Sequence, residues 1–312
     1  AAHTAAAVAA NIAASSAAER ASLLHALAAA LEADREPIVA LADRETGLGL
    51  PRLNGELDRT TFQLRGFADV LERGDIHAAI DDEAIAGAPP VGRPHLTRVR
   101  VPLGPVAMFS ASNFPFAFSV LGGDTASALA AGCPVVVKGH PAHPALSLHT
   151  AALAHAVVAA QGLPAGVFQF VEGGSIEVGV ALVQAPEITS VAFTGSFKGG
   201  TALARIAGER ARPIPFYGEL GSVNPLVVLP APIAQNGTTV AATLAGSICL
   251  GAGQFCTSPG VILVPAAAAG DGFVLAFAQA LQALQPPAML SAALRATFDR
   301  GVAPWRSAPQ LQ

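Results

Sequence analysis

Residues 106–138 read VAMFSASNFPFAFSVLGGDTASALAAGCPVVVK, and this segment gives the clearest pattern for predicting the fold class. The apolar run Val106–Phe109 predicts a buried strand, residues 119–131 predict a helix that Gly132 ends, and residues 134–138 predict a second strand. A strand, a helix and a strand in direct succession form a βαβ unit, whose two strands lie parallel in one sheet.

The same alternation continues towards the C-terminus. Further strands are predicted at 167–171, 188–193 and 214–217, and the helices that separate them at 144–161, 176–184 and 196–207. This order predicts an α/β fold with a Rossmann-like, doubly wound parallel sheet that carries helices on both faces.

The chain on either side of this sheet is predicted to be different. Before it, the pattern predicts N-terminal helices at 16–49 and 53–72, a loop at 84–94 and a half-exposed strand at 95–101. After residue 221, it predicts strands at 225–229 and 261–264 and helices at 238–250 and from about 272. Two strand–helix units are too few for an independent α/β domain, so we expect one domain at 1–221 and an incomplete α/β domain at 222–312.

Composition disfavours several classes of protein. The net charge is −4 and the lysines and arginines form no run, which argues against nucleic-acid binding. The three cysteines form no C-x-x-C pair, which argues against a disulfide scaffold or a structural zinc site and suggests the reducing cytoplasm. Residues 220–270 lack Asp, Glu, Lys and Arg, but prolines and glycines interrupt them, so we expect no membrane span.

Cys256 lies in the glycine-rich segment GAGQFCTSPG at 251–260. Small neighbours let a substrate approach the thiol, which is a strong nucleophile once it is deprotonated. The alternative is that this cysteine is a small buried hydrophobic residue, which is what we expect for Cys133 and Cys249.

Two polar residues in apolar surroundings are candidates for the same chemistry. Glu219, in FYGELG at 216–221, opens the long uncharged stretch, where burial would raise its pKa towards the range of a general base. Asn113, in MFSASNFPF at 108–116, follows a strand and offers an amide N–H to a developing oxyanion. The alternatives are a surface carboxylate at a strand end and an asparagine in a turn.

Two segments at strand ends are candidates for a ribose or phosphate site. Lys138 leaves the sheet at the carboxyl end of a predicted strand, the edge at which open α/β sheets bind ligands. The segment FTGSFKGG at 193–200 joins a strand to the start of a helix, whose N–H groups attract phosphate, although the G-x-G-x-x-G fingerprint is absent. The alternatives are a solvated lysine and a plain helix cap at Ser196. His140 and His143 lack neighbouring carboxylates, so we expect no metal there.

Taken together and in this order, these segments resemble the aldehyde dehydrogenase superfamily over almost the whole chain, from Glu45-Thr-Gly47 to just beyond Cys256. The resemblance implies an enzyme in which Cys256 is the nucleophile, Glu219 the general base and Asn113 the oxyanion holder. It also implies that the cofactor is bound by Phe109, Ser110, Lys138, His140, Phe193, Thr194, Gly195, Ser196 and Leu220.

Several positions depart from the family pattern. Ser112 replaces an aromatic residue before Asn113, and Val223 replaces a lysine after the Glu-Leu-Gly segment. Pro141 stands where members that prefer NAD often have a carboxylate, so a 2′-phosphate is tolerated and we expect NADP, with NAD possible. With residues 55–65, these variants are most similar to the branch of 2,5-dioxovalerate (α-ketoglutarate semialdehyde) dehydrogenases and a bacterial fatty aldehyde dehydrogenase.

The resemblance also sets expectations about completeness and partners. No glutamate follows Glu219, whereas the family has a later one in a Glu-x-Phe-Gly-Pro segment, so the chain resembles a copy truncated at its C-terminus. The full-length family implies a small aldehyde substrate and a homodimer or homotetramer, with residues 84–102 as the oligomerisation hairpin. Two alternatives stay open: an inactive dinucleotide-binding or interaction protein, and a relative that transfers the acyl group to coenzyme A, against which Glu219 argues because thiol transfer needs no water-activating base.

Overall fold

A computed structural model describes residues 1–285 and 288–308, and it divides the chain into two compact units. Unit 1 consists of Ala1–Glu45 and Gly49–Leu220, and unit 2 consists of Thr46–Leu48 and Gly221–Gln312. No helix in the described part of the chain has both the length and the hydropathy that a membrane span requires.

Unit 1 begins with four helices: α1 (Ala2–Ala14), α2 (Ala17–Ala33), α3 (Arg35–Thr46) and α4 (Leu50–Glu72). Helix α2 starts with a capping box, in which Ser16 and Glu19 satisfy each other's backbone N–H groups. Its leucines pack against those of α4, and the fully buried set is Leu23, Leu24, Leu27, Leu31, Leu53, Leu57, Leu64 and Leu71. Each such leucine contributes about 1.5–3 kcal/mol relative to an exposed one, so this pair of helices anchors the unit.

The single helix expected at 16–49 is two helices. The α-helical conformation ends at Asp34, whose carboxylate accepts a hydrogen bond of 2.6 Å from His149 Nε2. Arg35, at the start of α3, donates at 2.5 Å to Glu32 and at 2.6 Å to Asp58. Contacts with side chains distant in sequence therefore fix the bend, which the local pattern does not record.

Five parallel strands form the sheet of unit 1: β3 (Val106–Phe109), β4 (Val135–Lys138), β5 (Phe168–Val171), β6 (Ser190–Thr194) and β7 (Phe216–Glu219). Their order is β5-β4-β3-β6-β7, so the chain winds outwards from β3 in one direction and then in the other. The helices between them are α5 (Gly123–Ala130), α6 (Pro144–Ala160), α7 (Ile176–Gln184) and α8 (Phe197–Glu209). The expected doubly wound α/β fold is confirmed.

The core of unit 1 explains why the central strands are apolar at almost every position. All four residues of β3 and the first three of β4 are buried, as expected for strands covered on both faces. One cluster joins Ala107, Val136 and Val191 of the sheet to Leu182 of α7 and Leu203 of α8. The sheet is therefore held rigidly up to its carboxyl edge.

Along the chain, a short antiparallel hairpin follows α4 and precedes β3, the first strand of the five-stranded sheet. It pairs β1 (Ile80–Asp82) with β2 (Leu96–Arg98), and Asp81 lies opposite Thr97. Apolar side chains along this segment remain exposed: Ile80, Ile85, Val91, Leu96, Val99 and Val101.

Unit 2 contains the parallel strand pair β8 (Pro225–Val227) and β9 (Val261–Leu263) with helices α9 (Pro230–Cys249), α10 (Ala268–Ala283) and α11 (Ala292–Arg306). Its core cluster contains Val228, Ala241, Leu244 and Phe273. Helix α9 has non-helical backbone angles at Asn236, so the helix expected at 238–250 corresponds to its regular part.

Candidate active site

The carboxyl edge of the sheet brings several of the expected cofactor residues to one level. Phe109 at the end of β3 pairs with Lys138 of β4 on one side and with Phe193 of β6 on the other. The strand order reverses between β3 and β6, and open α/β sheets bind ligands at such a switch point. Ser110 follows directly, is buried, and donates its backbone N–H to the Lys138 carbonyl at 3.1 Å.

Lys138 is half-buried at this edge. Burial lowers the pKa of its ammonium group below the ordinary value. No described residue forms an ion pair or side-chain hydrogen bond with this ammonium group. A desolvated cation that lacks a protein partner at a switch point suits the hydroxyls or phosphate of a nucleotide better than it suits bulk water.

His140 follows Lys138 and is held in one tautomer. Its Nδ1 accepts a hydrogen bond of 3.1 Å from the Ala142 N–H, which leaves the ring proton on Nε2. Burial, together with the nearby His143 and Lys138, lowers the pKa of His140 to about 4. The ring is therefore neutral near pH 7 and offers one N–H donor.

His143 is the residue of this segment whose role the sequence did not reveal. It is wholly buried, its Nε2 lies 2.9 Å from the Ala111 carbonyl oxygen, and its Nδ1 lies 3.1 Å from the Ser147 Oγ. These bonds tie the start of α6 to the loop that follows β3, and they occupy both ring nitrogens. His143 is thus a positioning residue for that loop, and neither nitrogen is available to a metal.

The turn at Thr194, Gly195 and Ser196 joins β6 to α8. Ser196 is the helix cap, and its Oγ accepts a hydrogen bond of 3.1 Å from the Gly199 N–H. Gly200 in the first turn lies so close to Leu220 that a Cβ at this position would be 2.0 Å from a Leu220 methyl carbon. Ser196 therefore has the role of helix cap that we named as the alternative. The first backbone N–H groups of α8 still point outwards from the helix start, as a phosphate site requires.

Asn113 lies in a loop that α4 holds from one side. Arg52 donates to the Asn113 backbone carbonyl at 2.6 Å. Glu56, one helical turn later and buried, accepts hydrogen bonds from the Phe116 N–H at 2.7 Å and the Ala117 N–H at 3.0 Å. Burial raises the pKa of Glu56, against the opposing effect of these bonds and of Arg52. Neither Arg52 nor Glu56 stands out in the sequence, where only their spacing of four residues on α4 indicates a common helix face.

Glu219 is the last residue of β7, and its side chain is exposed. Its backbone carbonyl accepts a hydrogen bond of 3.0 Å from the Gly195 N–H, so the strand end and the phosphate-type turn are joined. The burial that we expected around this carboxylate is not found, because β7 is an edge strand of the sheet.

Cys256 belongs to unit 2 and is half-buried in a loop after α9. Its carbonyl accepts hydrogen bonds from the Ser222 hydroxyl and from Asn224 Nδ2, the latter at 2.5 Å. Gly251 and Gly253 have positive φ angles of 58° and 72°, which form the tight turn that precedes the thiol. Cys256 therefore does not match the buried-hydrophobe alternative. Cys133 is buried as expected, whereas the burial expected for Cys249 was wrong, because this residue at the end of α9 is half-buried.

Comparison with known proteins gives a family. The sequence model of the family described as "Aldehyde dehydrogenase family" matches residues 1–294. An alpha-ketoglutaric semialdehyde dehydrogenase 2 of Azospirillum brasilense is 46% identical over 285 residues, which cover 89% of this chain and 54% of that protein. An alpha-ketoglutaric semialdehyde dehydrogenase of Acinetobacter baylyi is 41% identical over 279 residues, which cover 89% of this chain and 53% of that protein.

A solved structure gives the same result for the fold. A putative aldehyde dehydrogenase from Burkholderia cenocepacia superposes with a TM-score of 0.80 at 25% identity, over 99% of this chain and 63% of that chain. The chain thus spans about half the length of the curated relatives it matches.

Proposed function

Because the chain belongs to the aldehyde dehydrogenase family, we propose that it oxidises an aldehyde to a carboxylic acid with NADP or NAD. The finer proposal is that 2,5-dioxopentanoate is converted to 2-oxoglutarate. The observation that supports aldehyde oxidation is the family match over residues 1–294. This range contains Asn113, Lys138, Glu219 and Cys256. The printed names of the two curated relatives support the choice of substrate.

In the proposed mechanism, three side chains act on one carbonyl carbon. The Cys256 thiolate forms a C–S bond with the aldehyde carbon, and its electron pair moves the carbonyl π electrons onto oxygen. The Asn113 amide and the Cys256 backbone N–H donate hydrogen bonds to that oxyanion, and one such donor is worth about 3–4 kcal/mol in a transition state. The nicotinamide cofactor supplies a hydride acceptor when bound, and loss of hydride from the carbon leaves a thioester on Cys256.

Glu219 then completes the reaction as general base. It takes a proton from a water molecule whose oxygen attacks the thioester carbon, the C–S bond breaks, and the acid leaves. The exposure of Glu219 allows water to reach it. This role, like that of Cys256, is part of the proposal.

The residues at the carboxyl edge fit a dinucleotide. A partly desolvated Lys138, a neutral His140 with one N–H donor and the helix start at Ser196 would hold ribose hydroxyls and phosphates. The loop at 139–143 carries Pro141 in place of an acidic residue, so no carboxylate at that position repels a 2′-phosphate, and we favour NADP. The family expectation of residues 1–221 as the dinucleotide-binding domain and 222–312 as the domain of the nucleophile follows from the same proposal.

A second copy of the chain is the partner that we propose, through the hairpin at 84–102. Apolar side chains along it are exposed, with Val91 at 71% and Val101 at 73%. Several exposed apolar residues on one short hairpin are typical of an interface.

The nucleophile can be tested by replacing Cys256 with alanine. We expect Cys256→Ala to lose at least about a thousandfold in kcat, since nothing else in the proposal forms the C–S bond. Cys249→Ala, at the end of α9, is the matched control and should keep the activity of the unmodified chain. Production of NADPH with a panel of aldehydes measures both. Full activity in Cys256→Ala would refute the proposed mechanism.

A dinucleotide-binding protein without dehydrogenase activity is the second candidate, favoured by the fact that the chain spans about half the length of its curated relatives. Calorimetric binding of NADP without NADPH production from any aldehyde would favour this candidate over the enzyme.

A further inference from the structure

Arg59 is an exposed arginine on α4, above the loop that carries Asn113. Its guanidinium carbon lies 4.9 Å from the centre of the Phe118 ring and 5.7 Å from that of the Phe114 ring. Such stacking fixes the plane of a guanidinium group while leaving its N–H donors free, because the ring contacts the face and not the edge.

The carboxylates near Arg59 have other partners. Glu56 accepts the backbone N–H groups of Phe116 and Ala117 and lies 3.9 Å from Arg52. Asp58 accepts a hydrogen bond of 2.6 Å from Arg35. Within residues 1–285 and 288–308, no side chain or carbonyl accepts a hydrogen bond from the Arg59 guanidinium group, and no carboxylate lies within ion-pair distance of it, although its charge acts on the nearby Glu56 carboxylate.

The other arginine on this face has a different task. Arg52 also stacks on Phe114, at 5.1 Å, but it donates to the Asn113 carbonyl and lies against Glu56. Arg52 is therefore part of the support of the loop. Arg59 is stacked on two rings, and among the residues that the structure describes no acceptor binds its guanidinium group.

We propose that Arg59 binds the distal carboxylate of an acidic aldehyde whose carbonyl is held at Asn113. This inference rests on the proposed function and deepens it by naming the residue that selects the substrate. Phe114 follows Asn113 directly, and Arg59 stacks on its ring. The stacking therefore places the Arg59 guanidinium group beside the residue that follows Asn113. The planar fork of a guanidinium group matches a carboxylate with two parallel hydrogen bonds.

The test compares an acidic and a neutral substrate of equal length, 2,5-dioxopentanoate and pentanal, on the full chain. We expect Arg59→Gln to raise KM for 2,5-dioxopentanoate by about ten- to a hundredfold, with kcat nearly unchanged, since hydrogen bonds to a charged group are lost. KM for pentanal and KM for NADP should not change. Arg59→Lys should recover part of the affinity, because the charge remains while the planar fork is lost.

Arg212→Gln is the matched control, because it removes the same charge from an exposed position between α8 and β7. Equal effects of Arg59→Gln on the acidic and the neutral substrate, or an unchanged KM for 2,5-dioxopentanoate, would overturn the role of Arg59 while leaving the dehydrogenase proposal intact.

Calorimetric titration with the product, 2-oxoglutarate, separates the two proposals. Binding by the unmodified chain that Arg59→Gln weakens by about ten- to a hundredfold supports the inference even if no aldehyde is oxidised. Binding that Arg59→Gln leaves unchanged, or no binding at all to the unmodified chain, contradicts it.

Discussion

Glu56 shows how a single buried carboxylate can support a functional loop. Its Oε1 accepts two backbone N–H groups of the loop that begins at Asn113, and the second oxygen lies 3.9 Å from Arg52. Burial is nevertheless the largest influence on this group, and it raises the pKa above the ordinary value of 4.5. The folded state therefore binds the Glu56 proton more tightly than the unfolded chain does.

The sign of the resulting pH dependence follows from this direction. The stabilisation from Glu56 is fully present below its pKa in the unfolded chain and is lost as pH rises through its pKa in the folded state. We expect Glu56→Gln to remove this loss of stability at higher pH, because glutamine keeps an acceptor oxygen but does not ionise. As pH rises from about 4.5 upwards, the free energy of unfolding of the unmodified chain should therefore fall relative to that of the variant. Urea denaturation at a series of pH values measures it.

Glu72→Gln is the control for this prediction, because Glu72 is an exposed glutamate on the same helix. Curves of unfolding free energy against pH that stay parallel for Glu56→Gln and the unmodified chain would contradict the prediction.

At the same scale, the sequence singled out some candidate residues and missed others for a physical reason. Cys256 and Lys138 could be singled out because a glycine-rich turn and the end of a β-branched strand are local features. Glu56 and His143 could not, because their partners lie 60 and 32 positions away along the chain. The burial expected for Glu219 was wrong because an uncharged stretch does not reveal that the preceding strand is at the edge of the sheet.

At the scale of helices and strands, local pattern was a good guide both for a fully buried strand and for a short helix with one buried face. The strand at Val106–Phe109 and the helix at Ile176–Gln184 have the predicted bounds. Helix α1 was missed because its alanine-rich sequence has neither an amphipathic period nor a capping side chain. Helix α5 begins at Gly123 and not at residue 119, because the backbone N–H groups of Ser119, Gly122 and Gly123 form turn hydrogen bonds before the helix starts.

The hairpin of β1 and β2 provides a prediction at this scale. We expect Val91→Asp to shift a self-associated form of the chain towards monomer, because a charge placed in an apolar contact must be desolvated. Its free energy of unfolding should change by less than about 0.5 kcal/mol, since Val91 is exposed. Analytical ultracentrifugation over a range of protein concentrations measures the association.

Leu148→Asp, at an exposed position on α6, is the control that adds the same charge outside the hairpin. A sedimentation profile that Val91→Asp leaves unaltered, or an unmodified chain that is monomeric at every concentration, would remove the hairpin from the proposed interface.

At the scale of the whole molecule, the division into two units has a testable consequence. The expected cofactor residues from Phe109 to Leu220 all belong to unit 1, together with the complete five-stranded sheet. We expect a fragment of residues 1–220 to unfold in one cooperative transition and to bind NADP with a Kd within about a factor of three of that of the full chain, a difference below about 1 kcal/mol. Circular dichroism and calorimetry measure the two properties.

A fragment that is folded but binds NADP at least about a hundredfold more weakly than the full chain would show that residues beyond 220 hold the nucleotide. The fold class at this scale was predictable, because strand–helix alternation sets the winding of the sheet. Which residues of α4 face the Asn113 loop was not, because their packing depends on side-chain geometry that no sequence period encodes.

Strand β7 hydrogen-bonds to β6 on one flank, and among the described strands it has no neighbour on the other. Open flanks of this kind invite strand addition between molecules, and proteins discourage it with short strands and charged side chains. Glu219 supplies such a charge at the end of this four-residue strand. We therefore expect replacement of Glu219 with a neutral residue to promote self-association, independently of the general-base role proposed for it, so turnover of such a variant is compared per soluble, non-fibrillar molecule.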